Sequence, residues 1–244
     1  MNKASKVKEL LKKIHNSLDL KDYTLELEKD KNFLSDVNKM INKNNIFKKR
    51  NFESIYEFSV YRNFIYSLIR NYKHSYILET GVLHGLTTLW ILKAIEDNKK
   101  GKLFSIDLPR RDWKDFFPNK PFGPGAESEI EIQNQEPGWA IPINLRNFWN
   151  LYLGPSSKFL NEILEKNNID LFIHDSDHSY EITKFECESV EKKKENIDIV
   201  IDDYYSNNFY KDFSENFSRN FFKIDEIDDG LSQVPGCAFF PKLK

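Results

Sequence analysis

Five short apolar runs constrain this chain more than any other feature: YILET from Tyr76, KLFSID from Lys102, LYLG from Leu151, IDLFIH from Ile169 and IDIVID from Ile197. They are rich in Ile, Leu, Val and Phe, the pattern of strands buried on both faces. Helical stretches at about 86–98, 156–167 and 179–195 separate several of them. Strand–helix alternation of this kind predicts a parallel sheet with right-handed crossovers, an α/β doubly wound fold. The last segments, RNFFKID and GCAFFPKL, predict a C-terminal antiparallel strand pair.

Neither glycine nor proline occurs before Gly81, so residues 1–80 have few strong breakers and read mostly as helix. Val7, Leu10, Leu11, Ile14 and Leu18 recur at helical spacing, and Ile55, Phe58, Tyr61, Ile65 and Leu68 mark a second helix near 52–72. This gives an N-terminal helical extension, 1–75, and one larger domain, 76–244. The helices supply core contacts or the face of a homo-oligomer.

Hydrophobic residues at 40% and charged residues at 30% fit a globular protein rather than a disordered one. No apolar stretch approaches the ~20 residues of a membrane span. The N-terminus interrupts its apolar positions with lysines, unlike a secretory signal. Cys187 and Cys237 are far apart and form no CxxC pair, so neither a disulfide framework nor a zinc ribbon is indicated. The cytoplasm is the expected address. A net charge of −2 argues against nucleic acid as the main partner. The basic excess over residues 1–50 reads as a solvated helical face.

Residues 109–148 break the alternation with six prolines and with Trp113, Phe116, Phe117, Phe122 and Trp139. A loop this long in a compact domain is usually functional or disordered. Its aromatic content points to a substrate-covering loop.

Three constellations suggest chemistry. Ile77 to Thr88 runs from a strand through a turn holding Gly81 and Gly85 into a helix. Gly81 permits a tight turn close to a ligand, and Gly85 lets the helix start close to the sheet. The turn departs from GxGxxG because position 83 is leucine. Asp107 closes the second strand, where an acid can accept hydrogen bonds from ribose hydroxyls. HDSDHSYE, from His174, follows the fourth strand and IDDY, from Ile201, the fifth. If those strands are neighbours, Asp175, Asp177, Asp202 and Asp203 gather at one sheet edge. A divalent cation is the simplest relief of their repulsion. Asp177 and Ser179 also suit the start of the helix that follows.

These motifs, with IDLP, Gly138-Trp139-x-x-Pro142 and LGPSS, resemble the class I methyltransferases that carry Asp-x-Asp-His-Ser/Thr-Tyr, the methyltransferase family 24-like branch that is similar to the sugar O-methyltransferases of antibiotic biosynthesis. The likeness covers about residues 76–215. It implies a mostly parallel Rossmann-like methyltransferase sheet and S-adenosylmethionine as cofactor. Glu79, Gly81, Gly85, Thr87 and Asp175 would line the cofactor site, with Asp107 on the ribose and Ser156 and Ser157 towards the adenine. Asp175, Asp202 and Asp203 match positions that hold Mg²⁺ in metal-dependent relatives. Asp177 matches the general base, with His178 as the second choice, and His174 reads as strand-end packing. The implied reaction is O-methylation of a sugar or another small hydroxylated acceptor. The alternatives are an oxidoreductase with a nucleotide cofactor and a non-catalytic methyltransferase-like binding module.

Overall fold

The first two strands form where the runs place them, β1 at Tyr76–Thr80 and β2 at Lys102–Asp107. They belong to a seven-stranded sheet of order β3-β2-β1-β4-β5-β7-β6, with β3 at Trp149–Leu153, β4 at Leu171–His174, β5 at Asp198–Asp202, β6 at Phe222–Ile224 and β7 at Cys237–Phe240. β1 to β5 pair in parallel, while β7 runs antiparallel to both β5 and β6. This computed structural model describes residues 2–43, 51–116, 135–194, 197–227 and 236–242. The strand order reverses between β1 and β4, so the crevice for a ligand opens above their carboxyl ends.

Alternate residues of each strand enter opposite cores. On one face Ile77, Leu103, Ile173 and Phe239 meet helices α1 (Lys3–Ser17), α3 (Lys31–Lys43), α4 (Val60–Tyr72) and α5 (Leu86–Asn98). On the other, Leu78, Phe104 and Ile199 meet α7 (Ser156–Lys166), α8 (Tyr180–Lys193) and α9 (Phe209–Phe217). Two short helices, α2 (Thr24–Lys29) and α6 (Trp113–Phe116), complete the set among the described residues. The N-terminal helices therefore supply much of one covering layer, and Val7, Leu11 and Ile14 of the α1 stripe are spent inside this chain. Trp90 of α5 ties the layer together, stacking on Phe58 at 4.9 Å and meeting Phe33 edge-on at 5.1 Å.

Two expectations need correction. β3 is an edge strand with half-exposed residues rather than a strand buried on both faces; among the described residues only β2 flanks it. The helix expected from residue 52 begins at Val60. Ser59 is extended there and accepts from Arg62 N at 3.1 Å, while Glu226 accepts from Val60 N and Tyr61 N at 2.9 Å each. These acceptors satisfy the open N–H groups of the first turn and fix where the helix starts. No helix among the described residues is long and apolar enough to cross a membrane.

Candidate active site

The turn after β1 is built from its own chain. Gly81 has φ +83°, and a Cβ there would overlap the Asp175 carbonyl at the end of β4. Gly85 has φ +93°, and a Cβ there would meet the Ile141 side chain at 2.7 Å. Both glycines are thus required by packing. The space at Gly81 is filled by the β4 exit rather than by a ligand, and Gly85 makes room for residues 138–141 rather than for the sheet. Asp107 Oδ2 accepts from Val82 N at 2.6 Å and Leu83 N at 2.9 Å, which fixes a half-exposed carboxylate at the mouth of the crevice.

The Gly-Trp-x-x-Pro stretch braces this turn. Gly138 N donates to Leu83 O at 2.7 Å, and Arg146 donates to the carbonyls of Ile141, Gly138 and Trp139. Within the expected substrate loop 109–148, residues 138–146 are therefore a fixed support. Residues 117–134, with Phe117 and Phe122, lie outside the described residues.

Beneath the turn are two buried carboxyl groups. Glu79 is fully buried rather than lining the crevice, and it accepts from Thr88 Oγ1 at 2.9 Å and Ser105 Oγ at 2.7 Å. Burial pushes it up to about 8; the charges of Asp175 and Asp107 add to this and the two hydroxyl donors oppose it. Glu186 of α8 accepts from Thr80 Oγ1 at 2.6 Å and faces His174 Nδ1 at 2.7 Å. Burial alone would raise this acid, but His174, Ser156 and Thr80 hold it below the usual carboxylate range. Ser176 Oγ donates to Glu186 at 3.0 Å, while Ser156 is half-buried and Ser157 exposed at the start of α7. Thr87 is likewise engaged inside, donating to Asp175 Oδ2 at 3.0 Å.

Adjacent β4 and β5 bring the acids together. Asp175, His178 and Asp202 each offer one ligand atom, all within 4.8 Å of one another. Asp203, at φ +47°, lies on the other side of the His178 ring, with Oδ2 3.6 Å from Nδ1. Asp177 Oδ1 accepts from Ser179 N at 2.8 Å and so holds the entry to α8. Burial pushes Asp202 far up, aided by the Asp175 and Asp203 charges and opposed by Arg62. Burial also raises Asp203, with His178 opposing, and it lowers His178, with His174 adding to the effect. Asp202 Oδ1 is buried without a hydrogen-bond partner, as is His178 Nε2.

Tyr61 and Arg62, at the start of α4, carry no functional signal in the sequence. The Tyr61 phenol is buried without a hydrogen-bond partner, and the charges of Asp202 and Asp175 act on it. Tyr61 reads as one more apolar position of a helical stripe, and no local pattern links it to acids 114 residues or more away. Glu186 carried a signal: it is a carboxylate on the Thr183–Glu186–Val190 face that α8 buries.

Residues 78–204 match a family model described as a methyltransferase domain. A comparison with curated proteins finds no match. Among solved structures, an O-methyltransferase from Bacillus cereus in complex with SAH is similar at 15% identity and a TM-score of 0.57, over 86% of this chain and 91% of that one. The O-methyltransferase TomG from Streptomyces achromogenes, involved in tomaymycin synthesis and solved in complex with SAM, is similar at 14% identity and a TM-score of 0.55, over 89% and 92%. At this identity the likeness is one of fold.

Proposed function

This chain belongs to the methyltransferase-domain family whose model spans residues 78–204, and on that premise we propose that it is a cytoplasmic S-adenosylmethionine-dependent O-methyltransferase acting on a small hydroxylated acceptor such as a sugar. The observation that carries the reading is the meeting of two sites at one sheet edge. Asp107 is held by the glycine turn at the carboxyl end of β2, and Asp175, His178 and Asp202 gather at the carboxyl ends of β4 and β5 with Asp177 at the entry to α8. The buried free thiols of Cys187 and Cys237 fit a reducing compartment.

S-adenosylmethionine, when bound, supplies a methyl group already activated on a sulfonium sulfur. The chain must then position the acceptor and manage one proton. The Asp107 carboxylate, held by Val82 N and Leu83 N, would accept from ribose hydroxyls, and Gly81 to Leu83 would contribute to holding the cofactor. Asp175 and Asp202 suit a divalent cation such as Mg²⁺. Asp202 Oδ1 is buried without a hydrogen-bond partner, and a cation would let this carboxyl ionise against the burial and the Asp175 and Asp203 charges that raise it. Such a cation would supply Lewis-acid polarisation of the acceptor hydroxyl. Asp177, oriented by the Ser179 N–H, takes the hydroxyl proton as general base.

An oxidoreductase makes no use of this acid group, and family membership speaks against it. Calorimetric titration with S-adenosylmethionine and with NAD, followed by a labelled-methyl screen over sugars and other hydroxylated compounds with and without Mg²⁺, tests the reading. Cofactor binding with label transferred to oxygen is the expected result. Binding of NAD alone, or label found only on nitrogen or carbon, would overturn it.

A further inference from the structure

Glu186 lies on the buried face of α8. Its carboxylate accepts from Thr80 Oγ1 at 2.6 Å and from Ser176 Oγ at 3.0 Å, and Oε2 stands 2.7 Å from His174 Nδ1. Thr80 is the last residue of β1 before the glycine turn, and His174 and Ser176 lie on either side of Asp175. The contacts continue beyond the carboxylate. His174 Nε2 meets Thr183 Oγ1 at 3.1 Å. Asn207, between β5 and α9, donates from Nδ2 to Thr183 Oγ1 at 3.1 Å and to the His178 carbonyl at 2.8 Å. Thr80, His174, Thr183 and Glu186 are each at most 1% exposed. One buried network thus reaches the exits of β1, β4 and β5.

A buried carboxylate is costly to desolvate, and apolar residues of similar volume often serve a core equally well or better. Packing alone therefore does not account for Glu186. Its anchors do. Ser176 and His178 flank Asp177, and both are held by this network, Ser176 through Glu186 and the His178 carbonyl through Asn207. The backbone bond from Asp175 N to Thr80 O stops one residue short of Ser176. We propose that Glu186 is a positioning residue for methyl transfer, tying the end of β1 to the β4 exit so that Asp177 keeps a fixed distance from the methyl donor. This rests on the methyltransferase reading above, with Asp177 as base, and adds the group that sets its geometry. Glu186 acts through Thr80 and Ser176 and touches neither cofactor nor acceptor. A displacement of about 1 Å in a reacting arrangement can cost ~10²-fold in rate.

Two variants of the full chain test the tie. Glu186→Gln keeps the side-chain length and one acceptor oxygen, and Thr80→Val replaces by a methyl the hydroxyl that reaches Glu186 from β1. Without any acceptor, hydrogen exchange at amides 175–179 should accelerate about tenfold in both variants and stay unchanged at 199–201 in β5. Calorimetry should give a Kd for S-adenosylhomocysteine within about twofold of the wild type. With an acceptor from the methyl screen, kcat should fall about 10–100-fold while KM stays within about twofold. The double variant should lose no more than the worse single one, because both break the same link. Unchanged exchange at 175–179, or acceleration spread evenly through the sheet, would overturn the tie. A normal kcat with a lowered melting temperature would leave Glu186 a role in the fold alone. Multiplicative losses in the double variant would separate Glu186 from Thr80 and overturn the link. If no acceptor takes up label, the function reading fails, while exchange still decides whether the tie exists.

Discussion

The α-carbon of Gly81 lies so close to the Asp175 carbonyl that a Cβ could not fit between them. Asp175 N also donates to Thr80 O at 2.8 Å. The turn that would hold the cofactor and the loop that carries the acids are therefore in direct backbone contact. A change on one side of the crevice displaces the other.

Gly81→Ala should consequently destabilise the protein before any ligand is added. The overlap and the positive φ together are expected to cost about 3 kcal/mol, which corresponds to roughly 6–12 °C in melting temperature for a chain of this size. Cofactor affinity should fall in the same variant. A normal melting temperature combined with lost affinity would mean that the glycine makes room for ligand alone.

Asp107→Asn tests the carboxylate at the mouth of the crevice. It removes a charge from hydrogen bonds worth ~1.5–3 kcal/mol each, so the Kd for S-adenosylmethionine should rise about 10–100-fold. Val82 N and Leu83 N lose strength in the acceptor they share, and stability should fall slightly as well. An unchanged Kd in calorimetry would move the ribose contact elsewhere.

Glu79 makes stability depend on pH in a calculable direction. Its folded value of about 8 lies above that of an unfolded glutamate, so the folded state holds the proton more tightly. The resulting stabilisation is complete below about pH 4, declines as pH rises and is lost above about 8. Glu79→Gln keeps a neutral group in place and removes this dependence. Between pH 6 and 8 the wild type should lose up to about 3 kcal/mol relative to the variant, at ~1.4 kcal/mol per unit. Parallel urea-unfolding stabilities across that range would show that the Glu79 carboxyl does not titrate there.

The strands were legible because each has a plain boundary. β1 and β2 start and end on the residues read from the sequence, bounded by Thr80 before a glycine and by Asp107 before Leu-Pro. β3 begins two residues earlier than LYLG, since Trp149 and Asn150 lie on a half-exposed edge and lack the fully apolar signature. At Gly81 and Gly85 the local requirement was legible but its cause was not. The atoms that exclude a side chain come from Asp175 and Ile141, which lie 94 and 56 residues further along the chain. The grouping of Asp175 with Asp202 followed from strand adjacency. His178 lies between Asp175 and Asp203, 3.9 and 3.6 Å away, an arrangement of two loop ends that no spacing rule encodes.

Asp177→Asn should separate catalysis from structure. An asparagine oxygen can still accept from Ser179 N, so the entry to α8 and the melting temperature should be preserved. Turnover of an acceptor found by the screen should fall by about 10²–10⁴-fold, the usual effect of removing a general base. Near-normal turnover would remove Asp177 as the base.

Tyr61→Phe should expose a conflict between stability and function. The phenol is buried without a hydrogen-bond partner and is raised well above its ordinary pKa first by burial and then by the charges of Asp202 and Asp175. An unsatisfied buried hydroxyl costs ~1–3 kcal/mol, so a well-packed phenylalanine would serve the core better at this position. Removing the oxygen should raise the stability of the ligand-free protein by up to about 1 kcal/mol, or roughly 2–4 °C in melting temperature. A group retained at such a cost is accounted for if it donates to the bound acceptor or to a carboxylate that shifts when the acceptor enters. The variant should then show a KM for acceptor raised about tenfold, equivalent to ~1.4 kcal/mol, with cofactor affinity unchanged. A lowered melting temperature would show that the hydroxyl serves the fold, and an unchanged KM would exclude it from the acceptor site.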